Sequence, residues 1–280
     1  MPYVQHLFDA LAENGIVAFV NTSYLQELNG KIQFKANVGN FESHLDFKVR
    51  HFDAIITLGG DGTILAAATL VRDMAVPILG INLGRLGFLA TVGKEQIALA
   101  VGQLSRGEYT IADRQTLRLE SDPPLFGDLP FALNDFTILK RDTSSMITIH
   151  TFVNGAYLNT YWADGLVVAT PTGSTGYSLS CGGPIVFPDS NNFVLTPVAP
   201  HNLNVRPLVI ADSATISFEV VGRAENFLCT LDSRHEIIIT DNKIAVRRGD
   251  FPIKIVQLLD DSFLDTMRKK LNWGVDLRNH

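Results

Sequence analysis

The spacing of apolar residues changes partway along the chain. Near the start, Val4, Leu7, Phe8 and Leu11 fall at i, i+3, i+4 and i+7, the period of one helix face, and Gly15 suits the end of that helix. Residues 16–20 are an apolar run of strand length, and Ser23 suits the cap of a brief helix through Leu28. Residues 53–58 (DAIITL) and 76–81 read as buried strands, and 63–71 and 95–104 as helices. Strands rich in Val, Ile and Leu, separated by helices, imply a parallel sheet covered on both faces.

From about Tyr109 the pattern shortens. Residues 116–120, 136–140, 147–153, 165–169, 208–210, 214–220, 226–230, 236–240 and 243–247 are strand-like pieces between turn residues, which predicts an all-β second domain. A last helix over 262–271 carries Phe263, Leu264, Met267 and Leu271 on one side. Ser262 suits its N-cap, and Arg268, Lys269 and Lys270 suit the negative end of its dipole.

Composition narrows the class. Among 280 residues, 46% are hydrophobic and 19% charged, the balance of a packed globular chain. A net charge of −6 speaks against a nucleic-acid partner, which wants a basic face. No apolar run is long enough for a transmembrane helix, so no membrane partner is expected, and the first residues lack signal-peptide features. Cys181 and Cys229 are too few for a disulfide framework. A cytoplasmic location with both thiols free and buried is the expectation. The histidines show no metal-ligand spacing, and no protein-held metal is expected.

Two segments carry chemistry. In Gly59-Gly60-Asp61-Gly62-Thr63 a buried strand ends, glycines surround one acid, and a helix begins. Glycines let a ligand approach the main chain, and a helix N-terminus offers unpaired N–H groups. Asp61 or Thr63 could simply cap that helix. An acid there repels phosphate, but it suits accepting a proton from a sugar hydroxyl or holding a metal. The turn lacks the Walker GK[ST] and the GxGxxG dinucleotide fingerprint. The second segment runs Asp164-Gly165, a strand, then TPTGSTGYSLS over 170–180 and Cys181-Gly182-Gly183. Its hydroxyls, glycines and Tyr177 suit hydrogen bonding and stacking on an adenosine. Between the two lies Leu133-Asn134-Asp135, by itself a common turn pair.

Together these segments resemble the NAD kinase family. So do 201–210 (HNLNVRPLVI) and 264–274 (LDTMRKKLNWG), in the family's order across nearly the whole chain. The first motif also occurs in diacylglycerol and sphingosine kinases. The 170–180 segment, and the want of an apolar or basic membrane-facing helix, speak against a lipid acceptor. Intact Asp61 speaks against a non-catalytic dinucleotide sensor.

The resemblance implies a Rossmann-like N-terminal α/β domain over 1–110, completed by 255–280 as the last helix returns to it. It implies a β-sandwich-like, NAD-binding domain over 111–254. The implied activity is phosphorylation of the 2′-hydroxyl of the adenosine ribose of NAD to give NADP. Asp61 matches the catalytic aspartate that deprotonates or orients that hydroxyl, and Gly62 contacts the same nucleotide. Asn134 and Asp135 match the pair that binds adenosine. Asp164 matches a carboxylate reaching an NAD held largely by a neighbouring subunit. Thr172, Ser174, Thr175, Tyr177 and Ser178 match the adenosine loop, and Ala199 a nearby main-chain contact. The implied donor is ATP or polyphosphate with Mg²⁺ or another divalent cation, and the implied assembly a homodimer or homotetramer. The family opens with a strand before its first helix, whereas this chain begins within the helix pattern. Trp162 stands where several members carry a basic residue, and Asp232-Ser233-Arg234 where the family often has Asp-Gly-Gln.

Overall fold

The computed structural model describes residues 1–141, 145–223, 226–259 and 262–273. The chain forms two compact units, Met1–Ala112 completed from Lys254 onward, and Asp113–Ile253.

The first unit opens with α1 (Pro2–Glu13), which buries Val4, Leu7, Phe8, Ala10 and Leu11, the face that the spacing predicts. β1 (Ala18–Asn21), α2 (Thr22–Leu28) and β2 (Val38–Phe41) follow. Asn21, rather than Ser23, caps α2: its Oδ1 accepts from the Ser23 N–H at 3.1 Å and the Ser23 hydroxyl at 2.6 Å. Next come α3 (His44–Val49), β3 (Ile55–Leu58), α4 (Asp61–Val71), β4 (Ile78–Asn82), β5 (Val92–Gly93) and α5 (Ile97–Arg106).

The single parallel sheet implied by the sequence is divided. β3, β4 and β5 pair in parallel, while β1 pairs in parallel with β2 as a separate two-stranded sheet. Side-chain packing pins that small sheet: a Cβ on Gly39 would lie 2.4 Å from the Phe19 ring. Apolar periodicity does not register so close an approach. All of β4 is buried, and Gly80 lets it pass close to Ile64 and Ala90, where a Cβ would meet atoms at 2.4 and 2.9 Å.

The second unit is built from β6 (Tyr109–Asp122), β7 (Phe131–Ala132), β8 (Asp135–Lys140), β9 (Ile147–Val153), β10 (Ala156–Ala163) and β11 (Gly165–Ala169). It continues with α6 (Tyr177–Ser180), β12 (Asn192–Val198), β13 (Leu208–Ala211), β14 (Ile216–Val221), β15 (Asn226–Leu231), β16 (Arg234–Ile239) and β17 (Lys243–Leu258). One layer runs β10–β9–β14–β17, with β6 on β17 and β7 on β6; the other runs β13–β12–β11–β8–β15–β16. Side chains from both layers share one core, including Phe136, Leu166, Phe193 and Phe227 from one and Ile149, Ile216, Phe218 and Val246 from the other. The unit is therefore a β-sandwich.

β10 and β12 are not among the sequence-predicted strands. Pro197 argues against a central strand, yet β13 pairs with β12 only over 192–195, so the proline lies beyond that pairing. Cys229 is buried, which pushes its thiol up to about 12, whereas Cys181 is only half-buried.

The chain then returns to the first unit. Ile255 of β17 pairs in parallel with Ile78 of β4, and α7 (Phe263–Leu271) follows. Ser262 occupies the N-cap position of α7 without a side-chain cap bond.

Candidate active site

In the first unit β3 runs into Gly59, whose φ of +153° is open only to glycine; a Cβ there would meet Thr63 Cγ2 at 2.5 Å. Gly60 is the N-cap, and Asp61 is the first residue of α4. Neither suggested capping side chain bonds to a free helix N–H. Thr63 Oγ1 donates to the Gly60 carbonyl at 2.7 Å. The Asp61 carboxylate instead faces the loop between β4 and β5. Oδ2 accepts from the Phe88 N–H at 2.9 Å, and Oδ1 accepts from Leu89 at 3.0 Å and Ala90 at 2.9 Å.

Gly87 makes this approach possible, since a Cβ on it would lie 1.9 Å from Asp61 Oδ1. Lys270 of α7 donates to the Leu86 carbonyl at 2.8 Å and sits over the Phe88 ring, and Phe263 packs against the same ring. Gly62 is exposed at the head of α4. The half-buried acid is thus held in one orientation beside a positive helix end.

In the second unit Asn134 and Asp135 sit where β7 turns into β8. A Cβ on Gly176 would lie 3.6 Å from Asn134 Nδ2 and 3.8 Å from Asp135 Oδ2, so the turn and the 170–180 segment meet there. The Thr170 N–H donates to the Asn134 carbonyl at 2.8 Å, and the Thr170 hydroxyl to the Leu133 carbonyl at 2.6 Å. Asn134 Oδ1 is buried and has no partner among the described residues. Burial, with Asp232 adding repulsion, pushes the Asp135 carboxyl up to about 7.

The 170–180 segment is ordered, forming a 3₁₀ turn over Thr172–Thr175 and then α6. Ser174 Oγ donates to the Pro171 carbonyl at 2.7 Å and accepts from the Val186 N–H at 3.0 Å. Ser178 Oγ bonds Thr196 Oγ1 at 2.7 Å. Thr175 Oγ1 donates to the Thr172 carbonyl at 3.1 Å, while Tyr177 is 39% exposed. Thr172 is buried. Asp164 precedes β11 and pairs with Lys140 at 2.6 Å. Ala199 follows β12 in a left-handed conformation, φ +44°. Trp162 packs its ring on His201 at 4.5 Å between centroids.

Sequence reasoning gave no role to Asp232, in the turn between β15 and β16. Its carboxylate accepts from the backbone N–H groups of Leu133 at 3.0 Å, Asn134 at 2.8 Å and Asp135 at 3.2 Å. Its own N–H donates to the Asp135 carbonyl at 3.0 Å. Arg234 donates to the carbonyls of Leu129 and Phe131. Only the fold brings these stretches together.

Known proteins resemble this chain along most of its length. Residues 2–109 match the family described as ATP-NAD kinase N-terminal domain, and residues 133–258 its C-terminal domain. The NAD kinase of Cytophaga hutchinsonii is 49% identical over 280 residues, covering 100% of this chain and 95% of that protein. That of Flavobacterium psychrophilum is 46% identical, covering 99% and 95%. Yeast NADH kinase solved with NADH superposes with a TM-score of 0.84 at 23% identity, over 98% of this chain and 86% of that one, a likeness of fold. An NAD kinase from Archaeoglobus fulgidus solved with ATP gives 0.69 at 26% identity, over 91% and 98%. The chain belongs to the NAD kinase family.

Proposed function

We propose that this enzyme, a phosphotransferase acting on NAD, places the phosphoryl group on the 2′-hydroxyl of the adenosine ribose, with Asp61 receiving that hydroxyl. The observation that carries the role of Asp61 is its geometry at the head of α4. Three backbone N–H groups hold the carboxylate, and among the described residues Oδ2 takes only one of them. A lone pair on Oδ2 therefore remains for a hydroxyl proton. As the ribose oxygen bonds to the terminal phosphorus of the donor, the bond from that phosphorus to its bridging oxygen breaks. The hydroxyl proton passes to Asp61, and the shortened donor leaves. Such a reaction depends mainly on positioning and charge neutralisation.

ATP is the donor we assign, supported by the Archaeoglobus relative solved with ATP. A divalent cation, Mg²⁺ in our reading, would neutralise the donor's phosphates. Such an ion is held chiefly by phosphate oxygens and water, with one or two carboxylates at most. We assign adenosine to Asn134, Asp135, Thr172, Thr175 and Tyr177, with Gly62 and Ala199 as main-chain contacts. The unpartnered, buried Asn134 Oδ1 supports this, because it wants a donor that a nucleoside hydroxyl or amine supplies. Ser174 and Ser178 bond within the protein and shape the segment. Asp164, the homo-oligomer and the cytoplasmic location follow the family likeness. Among the described residues no helix is long and apolar enough to cross a membrane.

The test is Asp61→Asn incubated with NAD, Mg²⁺ and ATP, with product read by an NADP-specific dehydrogenase. Loss of a general base predicts a fall in kcat of about 10²–10⁴-fold with the fold retained. Near-normal turnover would reject the role of Asp61, and polyphosphate serving where ATP does not would reject the donor.

A further inference from the structure

We infer that Asp232 is a positioning residue for the dinucleotide, acting through the Asn134–Asp135 turn without touching the ligand. The inference rests on the reading that this turn holds the adenosine. Three consecutive N–H groups, from Leu133, Asn134 and Asp135, converge on one carboxylate, and the Asp232 N–H returns a bond to the Asp135 carbonyl. The turn is therefore held from both its donor and its acceptor sides.

Asp232 opens the two-residue turn between Leu231 and Arg234 and adopts φ +52°, the left-handed geometry that such hairpin turns use and Asp tolerates, so its place at the turn is set by the hairpin itself. Beyond Asp232, the Arg234 guanidinium bonds the carbonyls of Leu129 and Phe131 and lies over the Phe126 and Phe131 rings. The β15–β16 turn thus grips the approach to the site with its cation and the site turn with its anion. On the opposite side, Gly173 lies against Asn134, where a Cβ would come 2.0 Å from the Asn134 carbonyl oxygen. Asn134 is wedged between the 170–180 segment and Asp232, so the direction of its side chain follows from the Asp232 clamp.

The consequence is specific to binding. With Asp232 altered, Asn134 and Asp135 remain in the chain but lose their fixed presentation. KM for NAD should rise, while Asp61 and the donor keep their own supports. Loss of a carboxylate that served only to hold the sandwich together would instead lower the melting temperature and the folded fraction, with KM unchanged in the molecules that fold.

The experiment compares full-length Asp232→Asn, Asn134→Ala and Asp135→Asn for KM(NAD), KM(ATP), kcat and melting temperature. Asp232→Asn puts an amide where three N–H groups want an acceptor. Losing charge-assisted bonds of this kind predicts KM(NAD) raised about tenfold or more, with KM(ATP) unchanged and kcat within about threefold. Asp232→Glu serves if the amide variant does not fold, and is judged by the same split. Raised KM(NAD) in Asn134→Ala or Asp135→Asn, with none in the Asp232 variant, overturns this inference alone. Unchanged KM(NAD) in both Asn134→Ala and Asp135→Asn overturns the adenosine assignment beneath it. Failure of both Asp232 variants to fold gives Asp232 a general structural role and also overturns the inference.

Discussion

Replacing Gly87 by alanine probes the orientation of Asp61 without touching Asp61 itself. No positive φ is needed at Gly87, so the added methyl strains no backbone angle; its difficulty is space. The new Cβ would lie 1.9 Å from Asp61 Oδ1 and 2.8 Å from Cγ, closer than non-bonded atoms approach, and a tight 3.1 Å from Oδ2. Either the loop or the carboxylate must retreat, and the bonds from Phe88, Leu89 and Ala90 weaken together. A bond to a charged group is worth about 1.5–3 kcal/mol, but the half-buried acid regains water, so the net loss of stability should be about 2 kcal/mol. Catalysis should suffer more, because misplacing a reacting group by about 1 Å costs roughly 10²-fold.

Thermal unfolding and steady-state NADP formation measure the two effects. Gly84→Ala in the same loop is the control, since its Cβ would meet only Asn82 Oδ1, at 3.9 Å. Wild-type turnover in Gly87→Ala, or an equal loss in Gly84→Ala, would refute the claim that this loop orients the acid.

Three further outcomes are expected. Burial and Asp232 push Asp135 from an ordinary 3.8 up to about 7, so the unfolded chain releases this proton near pH 4 and the folded protein only near pH 7. The group's contribution is therefore complete below about pH 4 and falls as pH rises toward 7, by up to about 4 kcal/mol. Asp135→Asn should flatten that slope in urea titrations across the window, and an unchanged slope would refute the assignment. Phe136→Ala empties a fully buried position stacked on Phe218 at 5.5 Å and should cost about 3–5 kcal/mol in chemical denaturation. Lys140→Met removes the 2.6 Å partner of a partly exposed Asp164. Stability should change by less than about 1 kcal/mol, while a shift in KM(NAD) would report that Asp164 meets the substrate.

The helices were legible where one face is apolar. α1 and α5 carry their buried residues at helical spacing, and β3 and β4 are short apolar runs bounded by turn residues. The strands that escaped notice lack those marks. β2 reads VGNF, held by a ring packed on a glycine, and β10 reads AYLNTYWA, with exposed and half-buried residues through most of its length. In the 170–180 segment hydroxyls outnumber apolar residues, a composition that gives no sign of burial. Several of those hydroxyls are buried and paired with main-chain atoms, which composition cannot show.

By itself the sequence determined the kind of chemistry and the family. A strand, three glycines around an acid, and a helix form a pattern legible along the chain, and so does TPTGSTGYS; the two together carry the family resemblance. What the acids do was decided by tertiary structure. Asp61 could have capped its own helix, yet the loop 27 to 29 residues further on supplies its three donors. Asp232 stood in an ordinary turn until strand pairing set it against residues 97 to 99 positions earlier. A carboxylate's role depends on which N–H groups and which neighbouring charges surround it, and those partners are chosen by the fold across long separations.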